Sequence, residues 1–236
     1  MPRTLAEDAA ALFGIALTAE QVAQFETYAR ELVAWNERVN LTAITDPEGV
    51  RVRHFLDSLS VAQAGPLPPG LRVIDVGAGA GFPGLPLQIA FPELRVTLLE
   101  ATGKKVQFLE HLIGLLGLAN ARAVHARAEA AGQAPEHRAV YDLALARSVA
   151  RLPSLLEYLL PLARVGGRCI ALKGATAAAE ATDSRRALAA LGGRLVAIES
   201  APLPGLDDHF LVVVKKVSPT PAAYPRSPGV PTKRPL

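Results

Sequence analysis

The run Val73-Ile74-Asp75-Val76-Gly77-Ala78-Gly79-Ala80-Gly81-Phe82-Pro83-Gly84 carries the sharpest chemical signal in the chain. A short β-branched stretch leads directly into four glycines, which let backbone approach a ligand with no Cβ in the way. Pro83 suits the first turn of a following helix, because its missing N–H would be unpaired there anyway. Strand, glycine loop and helix in that order imply a nucleotide-like ligand at the carboxyl end of the strand. Two acids flank the loop. Asp75 lies two residues before Gly77, where a dinucleotide site normally carries an apolar residue; it suits either a cationic amino-acid group or the capping of local amides. Glu100, 23 residues after Gly77, is placed to take two ribose hydroxyls.

Gly79, Gly81 and Gly84 also match the dinucleotide spacing, so NAD and S-adenosylmethionine both fit this pattern. Two features tilt the balance toward S-adenosylmethionine. Acids lining a pocket make electrostatic sense for a ligand with an ammonium and a sulfonium. The chain also ends in a hairpin where a dehydrogenase needs a second mononucleotide half. Other chemistry is sparse. A single cysteine, Cys169, excludes a disulfide framework, and without Cys or His clusters no metal is expected.

The elements that must position these residues fall into three stretches. Residues 1–64 read as a helical extension. Thr18 and Gln21 have the spacing of a capping box, and Val22, Phe25, Ala29, Leu32 and Val33 recur at helical period. The segment from Asn36 to Thr45 breaks that pattern, and Val52, Phe55, Leu56 and Leu59 mark another helix. A Gly/Pro linker at 65–70 follows. From 71 to 217, strands are expected at Arg72–Val76, Arg95–Leu99, Ala121–His125, Asp142–Ala146, Arg168–Leu172, Arg194–Ile198 and Phe210–Val214. Helices are expected after the glycine loop, at Gly103–Leu118, and over 152–163 and 175–191. This alternation predicts an α/β, doubly wound, mostly parallel seven-stranded sheet, with the last hairpin putting an antiparallel strand at its end.

Residues 218–236 form the third stretch, a Pro-rich basic tail. From 215 onward there are five bases (Lys215, Lys216, Arg226, Lys233, Arg234), six prolines and no acid. Without those five, the 25 bases fall to 20 against 22 acids, so a slightly acidic body carries a basic end. Such an end reads as an exposed, extended arm. The start MPRTLAEDAA lacks an apolar core, and no run of about 18 apolar residues occurs, so neither signal peptide nor membrane span is expected and the cytoplasm is.

Several blocks together resemble the bacterial RsmG (GidB) family. They are Trp35-Asn36 through Asn40-Leu41-Thr42-Ala43-Ile44, Arg53-His54-Phe55-Leu56-Asp57-Ser58-Leu59, the glycine run 75–87, 98–110, and Ala171-Leu172-Lys173-Gly174. They run in the family's order and cover most of the chain from Trp35 onward. The resemblance implies a class I, Rossmann-like methyltransferase that moves a methyl group from S-adenosylmethionine to N7 of one guanine in 16S ribosomal RNA. It further implies cofactor contacts at Gly77, Phe82, Glu100, Ala101, Thr102, Ala128, Glu129 and Arg147, to which the glycine-loop reading adds Asp75 and Gly79. Ala78 and Ser148 depart from the family's usual residues by small changes, and Ser227 stands where family tails carry a second arginine.

Guanine N7 bears a lone pair and no proton, so no general base is required and positioning should dominate catalysis. A strongly positive wall beside N7 would oppose the cationic product. Arg147 is therefore expected at phosphate, O6 or cofactor, and Asn40 is the candidate to read the guanine edge, although it equally suits a cap of the next turn. RNA contacts are expected at His54, Arg127, Lys173, Arg226, Lys233 and Arg234, with Arg51, Arg53, Arg127 and Arg147 as a further phosphate-reading ridge. The partner is 16S ribosomal RNA or the small subunit, and nothing in the sequence asks for a dimer. The competing readings are a methyltransferase acting on another RNA or a small molecule, an NAD-dependent oxidoreductase, and a ribosome-associated binder without activity.

Overall fold

The computed structural model describes residues 3–236. Seven strands form one sheet: β1 Arg72–Val76, β2 Arg95–Glu100, β3 Ala121–His125, β4 Tyr141–Arg147, β5 Ala163–Lys173, β6 Gly193–Ser200 and β7 Phe210–Lys216. Their order is β3-β2-β1-β4-β5-β7-β6. β1 pairs in parallel with β2 and β4, β2 with β3, and β4 with β5. The order in which strands are added reverses beside β1, and this switch point opens a crevice at the carboxyl ends of the strands, where the glycine loop lies. β7 is antiparallel to both β5 and β6. The antiparallel strand is thus one place in from the edge, not at the end of the sheet as expected. β7 is the more apolar of the pair, with Leu211–Val214 all buried, so it takes the doubly covered position.

Two apolar layers cover the sheet. On one face, Phe25, Tyr28 and Leu32 of helix Ala19–Asn36 and Leu56 and Leu59 of the helical stretch 47–64 pack against Val73, Leu98, Leu143 and Ile170. Each such fully buried side chain contributes about 1.5–3 kcal/mol. On the other face, helices Leu152–Leu159 and Arg185–Leu191 cover Ile74, Val76, Ala144 and Val212. The expected Thr18–Gln21 capping box is present, and a second one, Thr4–Glu7, starts helix Leu5–Phe13. The stretch 47–64 is continuous but widens to a π-helix over Val50–Leu56. The helix expected over 175–191 breaks at Ser184, whose hydroxyl donates to the Glu180 carbonyl at 2.7 Å and competes with the helical ladder.

The tail is not an exposed arm. The carboxylate of Glu157, fully buried in helix Leu152–Leu159, accepts from the Arg226 backbone amide (2.7 Å), from its Nε (2.9 Å) and from its Nη2 (2.6 Å). Arg138 donates to the carbonyls of Thr220, Pro221 and Tyr224, and Ser154 to that of Pro231. A short helix, Val230–Lys233, closes the chain, with Pro225 and Pro231 buried beneath. An acid sunk in an apolar helix cannot remain unpaired, and Arg226 is its partner. Lys216 is likewise interior: its ammonium donates to Leu160 O (2.8 Å), Leu191 O (3.0 Å) and Thr220 Oγ1. Burial lowers its pKa to about 8.

Candidate active site

The glycine loop follows β1 with Gly77, Gly79 and Gly81 all at positive φ. At Gly77 (φ 70°) a Cβ would stand 2.7 Å from Val149 Cγ2, so only glycine holds this backbone against the loop after β4. At Gly81 (φ 100°) it would meet the Tyr28 hydroxyl at 2.6 Å. That hydroxyl donates to Ala80 O at 2.5 Å, and the Tyr28 ring stacks on Phe82 (centroids 5.3 Å apart, 9°). Helix Ala19–Asn36 therefore pins the loop from behind.

The loop forms one wall of a cleft of about 510 Å³. Facing it are Leu41, Thr42 and Ile44, the π-helical turn bearing Arg53, His54 and Asp57, the ends of β4 and β5 (Arg147, Ser148, Lys173), and Asp208 and His209 before β7. Asp57 is the hub. Its Oδ2 accepts from Arg147 Nη1 at 2.6 Å, and its Oδ1 lies 3.1 Å from His209 Nδ1. His209 Nε2 is 3.1 Å from Ser60 Oγ. Arg147 also donates to Arg53 O (2.7 Å) and to His54 Nδ1 (3.3 Å), and its Cζ sits 4.9 Å from the Phe82 centroid. His54 stacks on Phe82 at 4.4 Å, and its Nε2 lies 2.9 Å from Thr42 Oγ1. Burial, with Arg147 beside it, holds the His54 pKa down at about 4, so the ring is neutral at physiological pH. Burial also lowers His209. Around Phe82 the wall thus holds a cation matched by an anion, Arg147 with Asp57, and a neutral imidazole, His54; Arg53, Lys105, Lys173 and Asp208 are the other charged residues of the lining.

Among the residues expected from sequence, Gly77, Gly79, Phe82, His54, Arg147 and Lys173 line this cleft. Lys173 is committed elsewhere, donating to Glu180 Oε2 (2.8 Å) and Ala150 O (2.7 Å). Asp75 is fully buried behind the loop. Its Oδ2 accepts from the Gly84 amide at 2.8 Å, while Oδ1 has no partner, and burial raises its pKa to about 7. Glu100 takes the Gly79 amide on Oε2 (2.9 Å) and the Thr102 amide on Oε1 (2.8 Å), each oxygen keeping a lone pair for a hydroxyl. Ala101, Thr102, Ala128 and Glu129 lie off the main cleft, past the ends of β2 and β3. Glu129 Oε1 accepts from the Gly229 amide at 3.0 Å, which brings the tail against the segment after β3. Arg127 and Asn40 are exposed. Asn36 shapes the loop beside Asn40: its Oδ1 accepts from the amides of Leu41 (2.8 Å) and Thr42 (3.0 Å). Arg226 is held by Glu157, Lys233 and Arg234 are exposed, and Arg51 pairs with Asp8 and Glu48. Asp57 and His209 were not anticipated; an acid one turn after His54, within the Arg53–Leu59 block, was the available signal.

A glycine cradle that a Cβ would block, an orphaned buried carboxylate oxygen and a second acid with spare lone pairs fit S-adenosylmethionine, with its adjacent positive charges and its diol. The chemistry and the topology together define a class I methyltransferase. Solved structures agree on the fold: a S-adenosylmethionine-dependent methyltransferase from Aquifex aeolicus superposes with a TM-score of 0.56 at 18% identity, covering 73% of this chain and 94% of that one. The structure titled MtNAS in complex with MTA and tNA superposes with a TM-score of 0.57 at 14% identity, covering 83% and 71%. The family is narrower than the fold. The chain belongs to the rRNA small subunit methyltransferase G (GidB) family, whose model matches residues 21–207. Proteins called ribosomal RNA small subunit methyltransferase G from Roseiflexus castenholzii and from a second Roseiflexus strain are 51% and 52% identical to it over 224 and 225 residues, in each case 95% of both chains.

Proposed function

We propose that the protein transfers the methyl group of S-adenosylmethionine to N7 of one guanine in the 16S ribosomal RNA of the small subunit. Family membership supports the substrate class, and the matched Arg147–Asp57 pair with neutral His54 beside Phe82 supports the acceptor atom. S-adenosylmethionine, when bound, supplies an electrophilic methyl group on a sulfonium. Guanine N7 needs no deprotonation, and methylation makes the purine cationic. A wall in which Arg147 is matched by Asp57 at 2.6 Å, with His54 neutral, does not repel that product. The residues of this wall act by position: Arg147, tied to three groups of the π-helical turn, fixes the distance between the N-terminal helices and the end of β4. Thr42 and the backbone around Asn40 present neutral donors and acceptors at the mouth. Gly77, Gly79 and Glu100 hold the cofactor's side of the cleft.

RNA phosphate falls to exposed bases, Arg53 on the cleft lining and Arg127, Lys233 and Arg234 outside it. The enzyme works as a monomer in the cytoplasm, where the small subunit is assembled. Among the described residues no helix is long and apolar enough to cross a membrane. Mass-spectrometric mapping of 16S ribosomal RNA from a strain lacking the gene tests this reading. One N7-methylguanine should disappear and return on complementation; an unchanged pattern overturns it.

A further inference from the structure

The edge of the sheet opposite the catalytic cleft carries a row of bases that the activity leaves unused. Every strand except β4 places one there: Arg122 on β3, Arg95 on β2, Arg72 on β1, Arg168 on β5, Lys215 on β7 and Arg194 on β6. Register fixes their alignment. Arg72 is directly opposite Arg95, and Arg122 is opposite Thr97, two residues on from Arg95, so these three share one face of the sheet. Arg168, Lys215 and Arg194 are in register with Val73 and Leu143 on the other face, where Arg168 donates to Ala64 O and Pro66 O. Like charges placed opposite each other across strands are destabilising, so the fold keeps this row against its own stability. Among the described residues, Asp142 is the only acid in salt-bridge contact with any of them, and it is shared between Arg72 and Arg164. The rest of the body is slightly acidic, which makes this concentration of charge stand out.

At one end the row borders a cleft of about 330 Å³ between Arg72, Arg95, Arg122, Asn120 and Tyr141. Arg95 is exposed and in no salt bridge, and Arg122 spends only its Nε, on Thr97 Oγ1 at 3.2 Å. Both guanidinium forks remain available for bidentate contact with phosphate oxygens. With strands about 4.8 Å apart, β1, β2 and β3 spread their three bases over about 10 Å of one face, enough to meet more than one phosphate of a backbone. The five residues of β1 separate this edge from the glycine loop by about 16 Å.

We propose that this edge, with the Arg95–Arg122 cleft as its anchor, binds the phosphodiester backbone of ribosomal RNA at a segment remote from the methylated guanine. The proposal rests on the RNA substrate reading above. The enzyme would then grip its substrate at both ends of the sheet, through sequence-independent contacts at one and the target base at the other.

The test compares the full-length protein with Arg95→Gln/Arg122→Gln and with a control carrying the same charge loss on an outer helix, Arg185→Gln/Arg186→Gln. Binding to protein-free 16S ribosomal RNA is measured by filter retention across a salt series. The slope of log affinity against log salt should fall by about 1.5 for the Arg95/Arg122 variant. Its affinity at 100 mM salt should fall at least about tenfold, that is by 1.4 kcal/mol or more. The control should follow the wild type. Cofactor affinity by calorimetry, and the methylation rate at saturating RNA, should not change. An unchanged slope and affinity, or an equal loss in the control, overturns the proposal while leaving the RNA reading intact. Failure of the wild type itself to bind 16S ribosomal RNA overturns both.

Discussion

Replacing Arg226 by alanine removes the guanidinium that neutralises Glu157, a carboxylate with no solvent exposure. Three side-chain hydrogen bonds to that carboxylate are lost, at 2.9, 3.1 and 2.6 Å, together with the one from Nη2 to Arg234 O. The backbone amide of residue 226 still donates to Oε1, so Glu157 keeps one partner. Breaking a buried pair costs about 3–5 kcal/mol when nothing remains. Arg226 is itself 26% exposed, so water enters when it is removed, and about 2–4 kcal/mol is expected. A domain of this length moves about 2–4 °C per kcal/mol, so scanning calorimetry at pH 7.5 should show melting about 4–16 °C lower. The double variant Arg226→Leu/Glu157→Leu removes the uncompensated charge with the pair and should recover most of the loss. A single variant that melts within about 1 °C of wild type would refute the packed tail as a stabilising element. So would a double variant no better than the single.

Three further outcomes follow from the site. Arg147→Ala strands Asp57 in a buried position, so it should cost about 2–3 kcal/mol of stability as well as activity; in Arg147→Ala/Asp57→Asn the melting point should return and the methylation rate should not, and an unchanged melting point in the single variant would discredit the hub. Gly77→Ala forces a side chain into positive φ and against Val149, which should weaken cofactor binding by at least about tenfold in calorimetry with about 1–2 kcal/mol of strain. Asp75 gives a pH signature: its folded pKa, raised to about 7, lies above its ordinary 3.8, so the proton it keeps stabilises the fold fully below about pH 4, and that contribution is lost as pH rises through 7. Denaturant unfolding should therefore show wild type losing stability relative to Asp75→Asn between pH 5 and 8, and parallel curves would contradict the assignment.

The sheet was legible because its strands are short apolar runs separated by helical periods, and the ligand end because a strand running into Gly77–Gly84 has few other uses. The hub was not legible. Asp57, Arg147 and His209 lie in three distant stretches, and no spacing rule brings them together; only the fold does. Asp75 illustrates an alternative left open in the residues: one of its oxygens caps the Gly84 amide, and the other stays orphaned. The tail was misread on composition, since prolines and bases describe solvated arms well. The contrary signal lay 69 residues before Arg226, in a single glutamate within the apolar helix Leu152–Leu159. Position β7 follows the same logic, because which strand of a hairpin docks inward depends on the more apolar partner and not on order along the chain.

The final dozen residues have a consequence for synthesis. Glu157 meets Arg226, Glu129 meets Gly229, and Ser154 meets Pro231. The helices that carry those acids emerge from the translating ribosome well before their partners do. Until the segment around Arg226 has cleared the exit tunnel, the Glu157 carboxylate has no counter-charge. A chain cut short before Arg226 is therefore left with an uncompensated carboxylate inside an apolar helix.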